Sequence, residues 1–264
     1  MPELRQLALA ALAEPSPELK CSATRAIAKD VALDPAARLH ASGPLPGREA
    51  RPALVMPREV PQRSLGTPEG RAALIHALAH IELNAVNLAL DILWRFPGMP
   101  DAFYRDWLGV AHEEADHFGL LRDHLKKTGG TYGDLPAHNG LWEMAEKTRD
   151  SLLARLALVP RMLEARGLDV SPQIRARLVG AGDMQGAAIL DVILRDEIGH
   201  VAIGNRWYNF LCAREQRDPI STFARLAREY DARLPRGPFN IEARRAAGFS
   251  EAELRALQAP DAEG

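Results

Sequence analysis

The sequence predicts an all-α protein, in which a four-helix bundle follows a proline-rich leader and precedes extra C-terminal helices. Three observations predict this class. Hydrophobic residues make up 47% of the 264 residues, and alanine and leucine dominate them, a composition that favours helix over sheet. Helix start and stop signals bracket several long amphipathic segments. Acidic and histidine side chains also recur in these segments at nearly equal spacing.

The first 66 residues form the leader. Helices are predicted over residues 3–13 and 20–29. Residues 42–66 are rich in proline and glycine, which excludes long helices and predicts an extended segment that wraps over the bundle. The alternative is a disordered arm, but three apolar residues of this segment favour a packed wrap. These residues are Leu54, Val55 and Met56.

Capping residues define the first two long helices of the bundle. Thr67 is a good N-cap and is followed by Pro68 at the first helical position, so the first helix begins there and ends near Phe96. Asp101 is expected to cap the second helix. That helix ends at Gly129, where a second glycine follows and predicts a C-cap.

The third helix is predicted over residues 140–167, with Gly167 closing it. Because the preceding loop is short, a separate short helix over residues 141–148 is an alternative start. Pro160 should kink the third helix, since proline lacks the amide hydrogen that the helix needs. The kink falls one turn before Glu164.

The last long segment of the bundle starts at Ser171 and is expected to break at Gly180–Gly182. Asp183 then recaps a helix that runs to about residue 214. Two further helices are predicted over residues 219–232 and 250–258. The chain therefore divides into three segments: the leader over residues 1–66, the bundle over 67–214 and a helical extension over 215–264.

Two Glu-x-x-His steps carry the functional prediction, and a lone glutamate precedes each of them by 32 or 33 residues. Residues three or four apart share a helix face, and each candidate ligand falls on the apolar stripe of its helix. Four carboxylates and two imidazoles on four helices form the ligand set of dimetal carboxylate bundles. The six candidate metal ligands are Glu82, Glu114, His117, Glu164, Glu197 and His200.

Burial of these side chains favours a metal site over ordinary surface charges paired with arginines. An unpaired buried carboxylate costs several kcal/mol, and four converging carboxylates repel one another. Two divalent cations would cancel the charge of −4 that four ionised carboxylates carry. Carboxylate and imidazole ligands suit iron and manganese alike, so two Fe ions are expected, with Mn/Fe and Mn/Mn pairs as alternatives.

An acidic residue stands directly before each Glu-x-x-His step. Metal-bound histidines commonly donate their second ring N–H to a carboxylate, which fixes the tautomer. Asp196 is therefore predicted to orient His117, and Glu113 to orient His200. The alternative is an exposed acid paired with an arginine such as Arg195.

The stretches HIELNAVNLALD, HEEADHF, LEARGLDVSP and DEIGHVAIGNRWYNF resemble the ferritin-like di-iron carboxylate superfamily. That superfamily includes multicomponent monooxygenases, ribonucleotide reductase small subunits, acyl-carrier desaturases and a tRNA hydroxylase. The stretches are most similar to a bacterial family of uncharacterised ferritin-like proteins, over roughly residues 1–258. The resemblance implies a ferritin-like four-helix bundle with a dimetal site. It implies no particular substrate.

The leading functional hypothesis is an O2-activating oxidoreductase of the hydroxylase or oxygenase type. Its partners would be O2, a small-molecule substrate and an external electron donor, since the chain has no flavin, nucleotide or iron–sulfur motif. The alternative is a non-catalytic protein that binds iron or manganese or scavenges peroxide. A third hypothesis, a metal-free helical scaffold, leaves the converging carboxylates unexplained.

Charge and cysteine content limit partners and compartment. A net charge of −2 argues against binding nucleic acid through bulk charge. Two distant cysteines predict a reducing compartment, and the N-terminus lacks the basic region of a signal peptide, so a cytoplasmic protein with no membrane span is expected. The late arginines are interpreted as a solvated helix face: Arg225, Arg228, Arg233, Arg236, Arg244 and Arg245.

Three further histidines, His76, His80 and His112, lie in the ligand helices but off the ligand stripes. They are interpreted as structural or surface residues. No tyrosine is clearly placed to carry a stable radical, since Tyr208 lies one residue past the stripe of Trp207. This placement argues against a reductase subunit.

Overall fold

The computed structural model describes residues 2–61 and 63–258, and these residues form helices and no strand. The all-α prediction is therefore confirmed. A 3-10 turn over Pro57–Glu59 and a π-helix over Val159–Glu164 accompany the α-helices. The α-helices are α1 (Leu4–Ala13), α2 (Pro17–Arg25), α3 (Pro68–Arg95), α4 (Asp101–Lys127), α5 (Gly140–Lys147), α6 (Leu152–Leu158), α7 (Ala165–Gly180), α8 (Met184–Arg214), α9 (Pro219–Glu229), α10 (Ile241–Ala246) and α11 (Glu251–Gln258).

The two leader helices begin at capping residues. Glu3 and Gln6 form a capping box at the start of α1, which matches the helix predicted over residues 3–13. Helix α2 begins three residues earlier than the predicted residue 20. Ser16 is its N-cap and Pro17 occupies its first position, a start signal that the prediction did not use.

The proline-rich segment is held by backbone hydrogen bonds rather than by burial of its apolar residues. The expectation that Leu54 and Met56 are buried is wrong, because they are 42% and 53% exposed. Leu54 instead forms an isolated β-bridge with Ala137. The Val55 amide donates to the Ala137 carbonyl at 2.9 Å, and the Ala137 amide donates to the Ala53 carbonyl at 3.0 Å.

Helices α3 and α4 follow the predicted bounds closely. The Thr67 hydroxyl accepts the Gly70 amide at 3.1 Å, as expected of the N-cap. The role predicted for Asp101 is corrected: it is the first residue of α4, and Pro100 takes the N-cap position without a side-chain hydrogen bond. Asp101 still places a negative charge in the first turn, where the helix dipole favours it.

The third predicted helix is divided. The separate short helix near residues 141–148 is present as α5. Pro160 does more than kink the chain, because it lies in a π-helical segment that ends at Glu164. Gly167 does not close the helix: α7 continues through it and through Pro172. Burial of Leu168, which is 0% exposed, outweighs the roughly 1 kcal/mol that an internal glycine costs a helix.

The break before α8 lies where the sequence predicts it. Gly182 has a φ of +79°, which glycine adopts without steric cost. Asp183 then caps α8 by accepting the Gly186 amide at 2.8 Å. Helices α9 and α11 match their predictions within three residues, whereas the six-residue helix α10 was not predicted.

Two compact units make up the chain. The first contains residues 1–143 and 177–189, and the second contains residues 144–176 and 190–264. In the first unit α3 and α4 pack along each other, with α1 against α3 and α2 against α4. In the second unit α6 packs against α9. The predicted division at residues 66 and 214 stays a prediction.

Helix α3 is long and apolar enough to cross a membrane, but 72% of its apolar window is buried inside the protein. A buried core helix of a folded protein can have the same length and apolar composition. Val86, Leu90 and Leu93 are each 0% exposed. Helix α3 is therefore a central packing element of its unit.

Candidate metal centre

The first unit brings three predicted ligands together. Glu82 lies on α3, and Glu114 and His117 lie one turn apart on α4. The Nδ1 atom of His117 is 3.2 Å from Glu82 Oε2 and 3.4 Å from Glu114 Oε2. The three residues are 6%, 1% and 1% exposed, in the same order. Two carboxylates and one imidazole therefore meet in a site that excludes bulk water.

The apolar pattern of α4 turns these ligands inward. Glu114 and His117 share a face because they are three residues apart. Phe103, Trp107 and Leu121 lie on the same stripe and are 0%, 1% and 0% exposed. Burial of this stripe therefore carries the carboxylate and the imidazole with it into the core.

When no metal is bound, the surroundings of Glu82 and His117 raise the pKa of both groups. Burial and the nearby Glu114 carboxylate raise the pKa of Glu82 to about 7, although His117 opposes that shift. Burial lowers the pKa of His117, but hydrogen bonds to Glu114 and Glu82 outweigh burial and raise the pKa to about 11. At neutral pH the imidazole is therefore protonated, and its positive charge stands between two carboxylates.

The second unit contains the second Glu-x-x-His step on α8. The Nδ1 atom of His200 is 3.2 Å from Glu197 Oε1, and the two residues are 1% and 8% exposed. On the same stripe, Ile193, Trp207 and Leu211 are all buried. The step therefore repeats the geometry of Glu114 and His117, with Nδ1 as the ring nitrogen nearest the carboxylate.

Glu164 is the last residue of the π-helix and is half-buried. The π-helix lies close against α8 in the same unit, because a Cβ atom built on Gly204 would be 2.7 Å from the Pro160 Cβ. Such single-turn π segments occur often at functional sites. Gly204 thus permits the close approach of α8 to the segment that carries Glu164.

The three predicted ligands of the first unit form a buried group that could hold a metal ion. Each of them offers one ligand atom, and these atoms lie within 4.8 Å of one another. They are Glu82, Glu114 and His117. The predicted ligands of the second unit are Glu164, Glu197 and His200, and their part in the same metal site stays a prediction.

The two acidic residues predicted to orient the histidines differ in exposure. Asp196 pairs with its neighbour Arg195, whose Nε atom lies 2.8 Å from Asp196 Oδ1, and its side chain is 18% exposed. This is the arginine pair that the sequence offered as the alternative. Glu113 is exposed. Their assignment to His117 and His200 stays a prediction.

The other histidines of the first unit have structural roles. His80 is 4% exposed, and its ring nitrogens lie 2.8 Å from the Tyr132 hydroxyl and 3.1 Å from the His138 carbonyl. His76 accepts the Gly133 amide at 3.0 Å. Their burial shows that they are structural rather than surface residues. The half-buried His112 is neither fully exposed nor part of the metal group.

Two buried polar pairs were missed by the sequence analysis. His124 and Asp183 lie 2.9 Å apart, and both side chains are almost fully buried. Arg244 was interpreted as solvated, but it is 1% exposed and donates to Asp169 Oδ2 at 2.7 Å. A single arginine in an arginine-rich segment gives no local signal of burial. The other five late arginines are exposed, as predicted, but Arg233 and Arg236 lie between α9 and α10 rather than on a helix face.

Comparisons with known proteins support a relationship without assigning an activity. Residues 13–255 match a family described as "Protein of unknown function (DUF455)". A curated protein from Haemophilus influenzae, described as "Uncharacterized protein", is 49% identical over 211 residues. That similarity covers 77% of this chain and 73% of the relative. No solved structure matches the chain.

Proposed function

We propose that this chain, which belongs to the DUF455 family, binds two transition-metal ions and uses them to activate O2. The helices that carry the ligands would form a ferritin-like four-helix arrangement. Iron is the expected metal, with manganese as the alternative in one or both positions. The proposed ligands are Glu82, Glu114, His117, Glu164, Glu197 and His200.

The buried group of two glutamates and one histidine in the first unit is the observation that carries this proposal. A buried carboxylate needs a compensating charge, and one protonated imidazole supplies only one. Iron and manganese both accept mixed carboxylate and imidazole ligands. The remaining three ligands of the proposed set complete the pattern known for dimetal carboxylate bundles.

The side chains around the group suit redox chemistry in a dry site. Bound iron would supply the O2-binding and electron-transfer chemistry that protein side chains lack. The carboxylates and histidines would hold it through Oε and Nδ1 atoms. The proton on His117 must leave for solvent before its Nδ1 atom can bind a metal, and any proton on Glu82 must be released as well. Trp107 and Phe103 exclude water from the same helix face.

We further propose that the substrate is a small molecule and that electrons come from an external donor. The net charge of −2 supports a small-molecule substrate over nucleic acid. The buried, free Cys21 and Cys212 support a reducing compartment, so we place the protein in the cytoplasm.

Oxygen uptake tests the proposed activity. Protein loaded anaerobically with Fe(II) is mixed with O2 while dissolved O2 and iron absorbance are followed. Rapid oxidation, lost in Glu114→Ala and retained in Glu143→Ala, would support the proposal. Glu143 is an exposed glutamate of α5 in the same unit, so its variant controls for loss of one carboxylate.

The same experiment separates catalysis from simple metal binding. If the protein binds iron but oxidises it no faster than free Fe(II), the O2-activating function is wrong. A metal-binding or peroxide-scavenging role then takes its place, and hydrogen peroxide in place of O2 tests the latter. If Glu114→Ala oxidises iron as fast as the wild type, the reaction does not occur at this site.

A further inference from the structure

A second polar site lies in the first unit, on the side of α3 that faces away from Glu82. It is a cavity of about 280 Å³. Helix α3 contributes His80, Asn84 and Asn87 to its wall. These three recur every three or four residues, whereas Asn84 lies about 200° around the helix from Glu82. The cavity is therefore distinct from the candidate metal centre.

A buried lysine supplies positive charge to the wall of this cavity. Lys20 is 2% exposed and lines the cavity. Its Nζ atom donates to the Leu12 carbonyl at 3.1 Å, the Gly47 carbonyl at 2.9 Å and Asn87 Oδ1 at 2.7 Å. All three acceptors are neutral. Burial, and after it the nearby Arg48 guanidinium, lower the pKa of Lys20 to about 7, so an anion in the cavity would favour the charged form of Lys20.

An arginine of the proline-rich segment supplies the donors. The Nη2 atom of Arg48 donates to Asn84 Oδ1 at 3.3 Å and to Asn139 Oδ1 at 2.7 Å. These two bonds use both hydrogens of Nη2 and fix the plane of the guanidinium. Within residues 2–61 and 63–258, the Nε and Nη1 groups have no hydrogen-bond acceptor. The Nε–H and Nη1–H groups are separated by the Cδ atom and do not share an edge, so this guanidinium offers separate donors to the oxygens of a carboxylate or phosphate.

The balance of charge around the cavity is positive. Arg51 adds a third cation, and the exposed Glu49 contributes one carboxylate. Among the described residues, no carboxylate lies within ion-pair distance of Lys20 or Arg48. His80 adds no charge at neutral pH, because burial lowers its pKa to about 4. The partly buried Arg48 and the buried Lys20 face this cavity with no acidic partner in contact, and a bound anion would compensate their positive charge.

We propose that this cavity binds the oxyanion group, a phosphate or a carboxylate, of a small molecule. Arg48 donates to this group through its Nη1 hydrogens, and Lys20 supplies charge from the wall of the cavity. The volume is near the lower end of the range for small-molecule sites, which fits a compact ligand. The inference rests on the first unit alone and does not depend on metal binding.

Titration with inorganic phosphate and with succinate tests this site and distinguishes the two oxyanions. Calorimetry at constant ionic strength, with chloride as the balancing anion, is done on the full chain as purified and after treatment with a chelator. We expect saturable binding of at least one anion in both preparations. Arg48→Gln should weaken it by roughly tenfold or more, the effect of losing hydrogen bonds to a charged group. Arg38→Gln removes the same charge from an exposed leader position outside the cavity and should leave binding unchanged.

Three results would overturn the inference. One is the absence of saturable binding by either anion. Another is binding by Arg48→Gln as tight as that of the wild type. The third is binding that disappears after the chelator treatment, which would place the anion on a bound metal. Thermal melts of Arg48→Gln without anion separate lost binding from a misfolded variant, and Arg48→Lys, which keeps the charge without the guanidinium donors, should bind with intermediate affinity.

Discussion

At the scale of single residues, protons occupy the place that metal ions would take. His117 carries a proton between Glu82 and Glu114, and the pKa of Glu82 is raised to about 7 by burial and by Glu114. Metal ligands must be deprotonated, so metal binding has to release these protons. Affinity for metal and stability of the metal-free protein should therefore depend on pH in opposite directions.

Stability of the metal-free protein should fall as pH rises from about 5 to 9. Folding raises the pKa of Glu82 from 4.5 to about 7 and the pKa of His117 from 6.5 to about 11. Between the unfolded and folded pKa of each group, the folded state binds more protons than the unfolded state. Each group therefore lowers the free energy of unfolding by about 1.4 kcal/mol for every unit by which the pH rises in that interval. Melts across pH should show the decline. Glu82→Gln should flatten its lower part, and Glu69→Gln, at an exposed position of α3, should not.

The stabilisation that Mn(II) gives should grow with pH over the same range, because fewer protons then compete with the metal. The measured quantity is the difference in melting midpoint with and without Mn(II) at each pH. A difference that stays constant between pH 6 and 8 would show that metal does not displace these protons.

Asp196 also belongs to the residue scale, as the acid predicted to orient a ligand histidine. Asp196→Asn should slow oxidation of the Fe(II)-loaded protein by about 10–100-fold, because loss of an orienting partner typically has that effect. Asp191→Asn is the matched control, since Asp191 lies on α8 and also pairs with an arginine, Arg175, at the surface. Equal oxidation rates in the two variants at equal metal content would exclude the orienting role.

At the scale of elements, the π-helix over residues 159–164 shapes the second half of the site. Gly204→Ala should destabilise the protein by roughly 1–3 kcal/mol, since the new Cβ would lie 2.7 Å from Pro160 and force α8 away from that segment. Gly199→Ala lies on the same helix with open space around it and should stabilise by up to about 1 kcal/mol. Urea unfolding of both variants measures the two effects. A Gly204→Ala variant as stable as Gly199→Ala would contradict the close approach.

Local signals explain which elements could be predicted. Thr67 with Pro68, and Gly182 with Asp183, set helix starts through hydrogen bonds within four residues, and both are present. Gly167 misled the prediction because its cost is small beside the burial of neighbouring residues. A π-helix cannot be read from periodicity, since the extra residue per turn depends on packing around Pro160.

The candidate site was predicted in part for similar reasons. Glu114 and His117 are three residues apart, and this spacing places them on one buried helix face. Glu197 and His200 have the same spacing and also share a buried face. The buried role of Arg244 depends on Asp169, which is 75 residues distant in sequence, so no local pattern reveals it. Leu54 and Met56 led to the opposite error, since they were expected to be buried and are exposed. Backbone hydrogen bonds, rather than apolar burial, hold the proline-rich segment.

At the scale of the whole molecule, the proposed function requires both Glu-x-x-His steps for one dimetal centre. Each step with its upstream glutamate supplies three of the six proposed ligands. Three ligands are too few to bind two ions, so removal of either step should lower the metal content of the entire chain. This expectation distinguishes one dimetal centre from two independent weak sites.

Metal content after anaerobic Fe(II) loading and gel filtration tests this claim most directly. We expect about two irons per chain in the wild type, the number for a dimetal carboxylate site, and a loss of both in Glu114→Ala and in Glu197→Ala. Glu143→Ala should keep the full content. Background iron in the wild type, or the loss of one ion with full retention of the other in each variant, would contradict a shared dimetal centre.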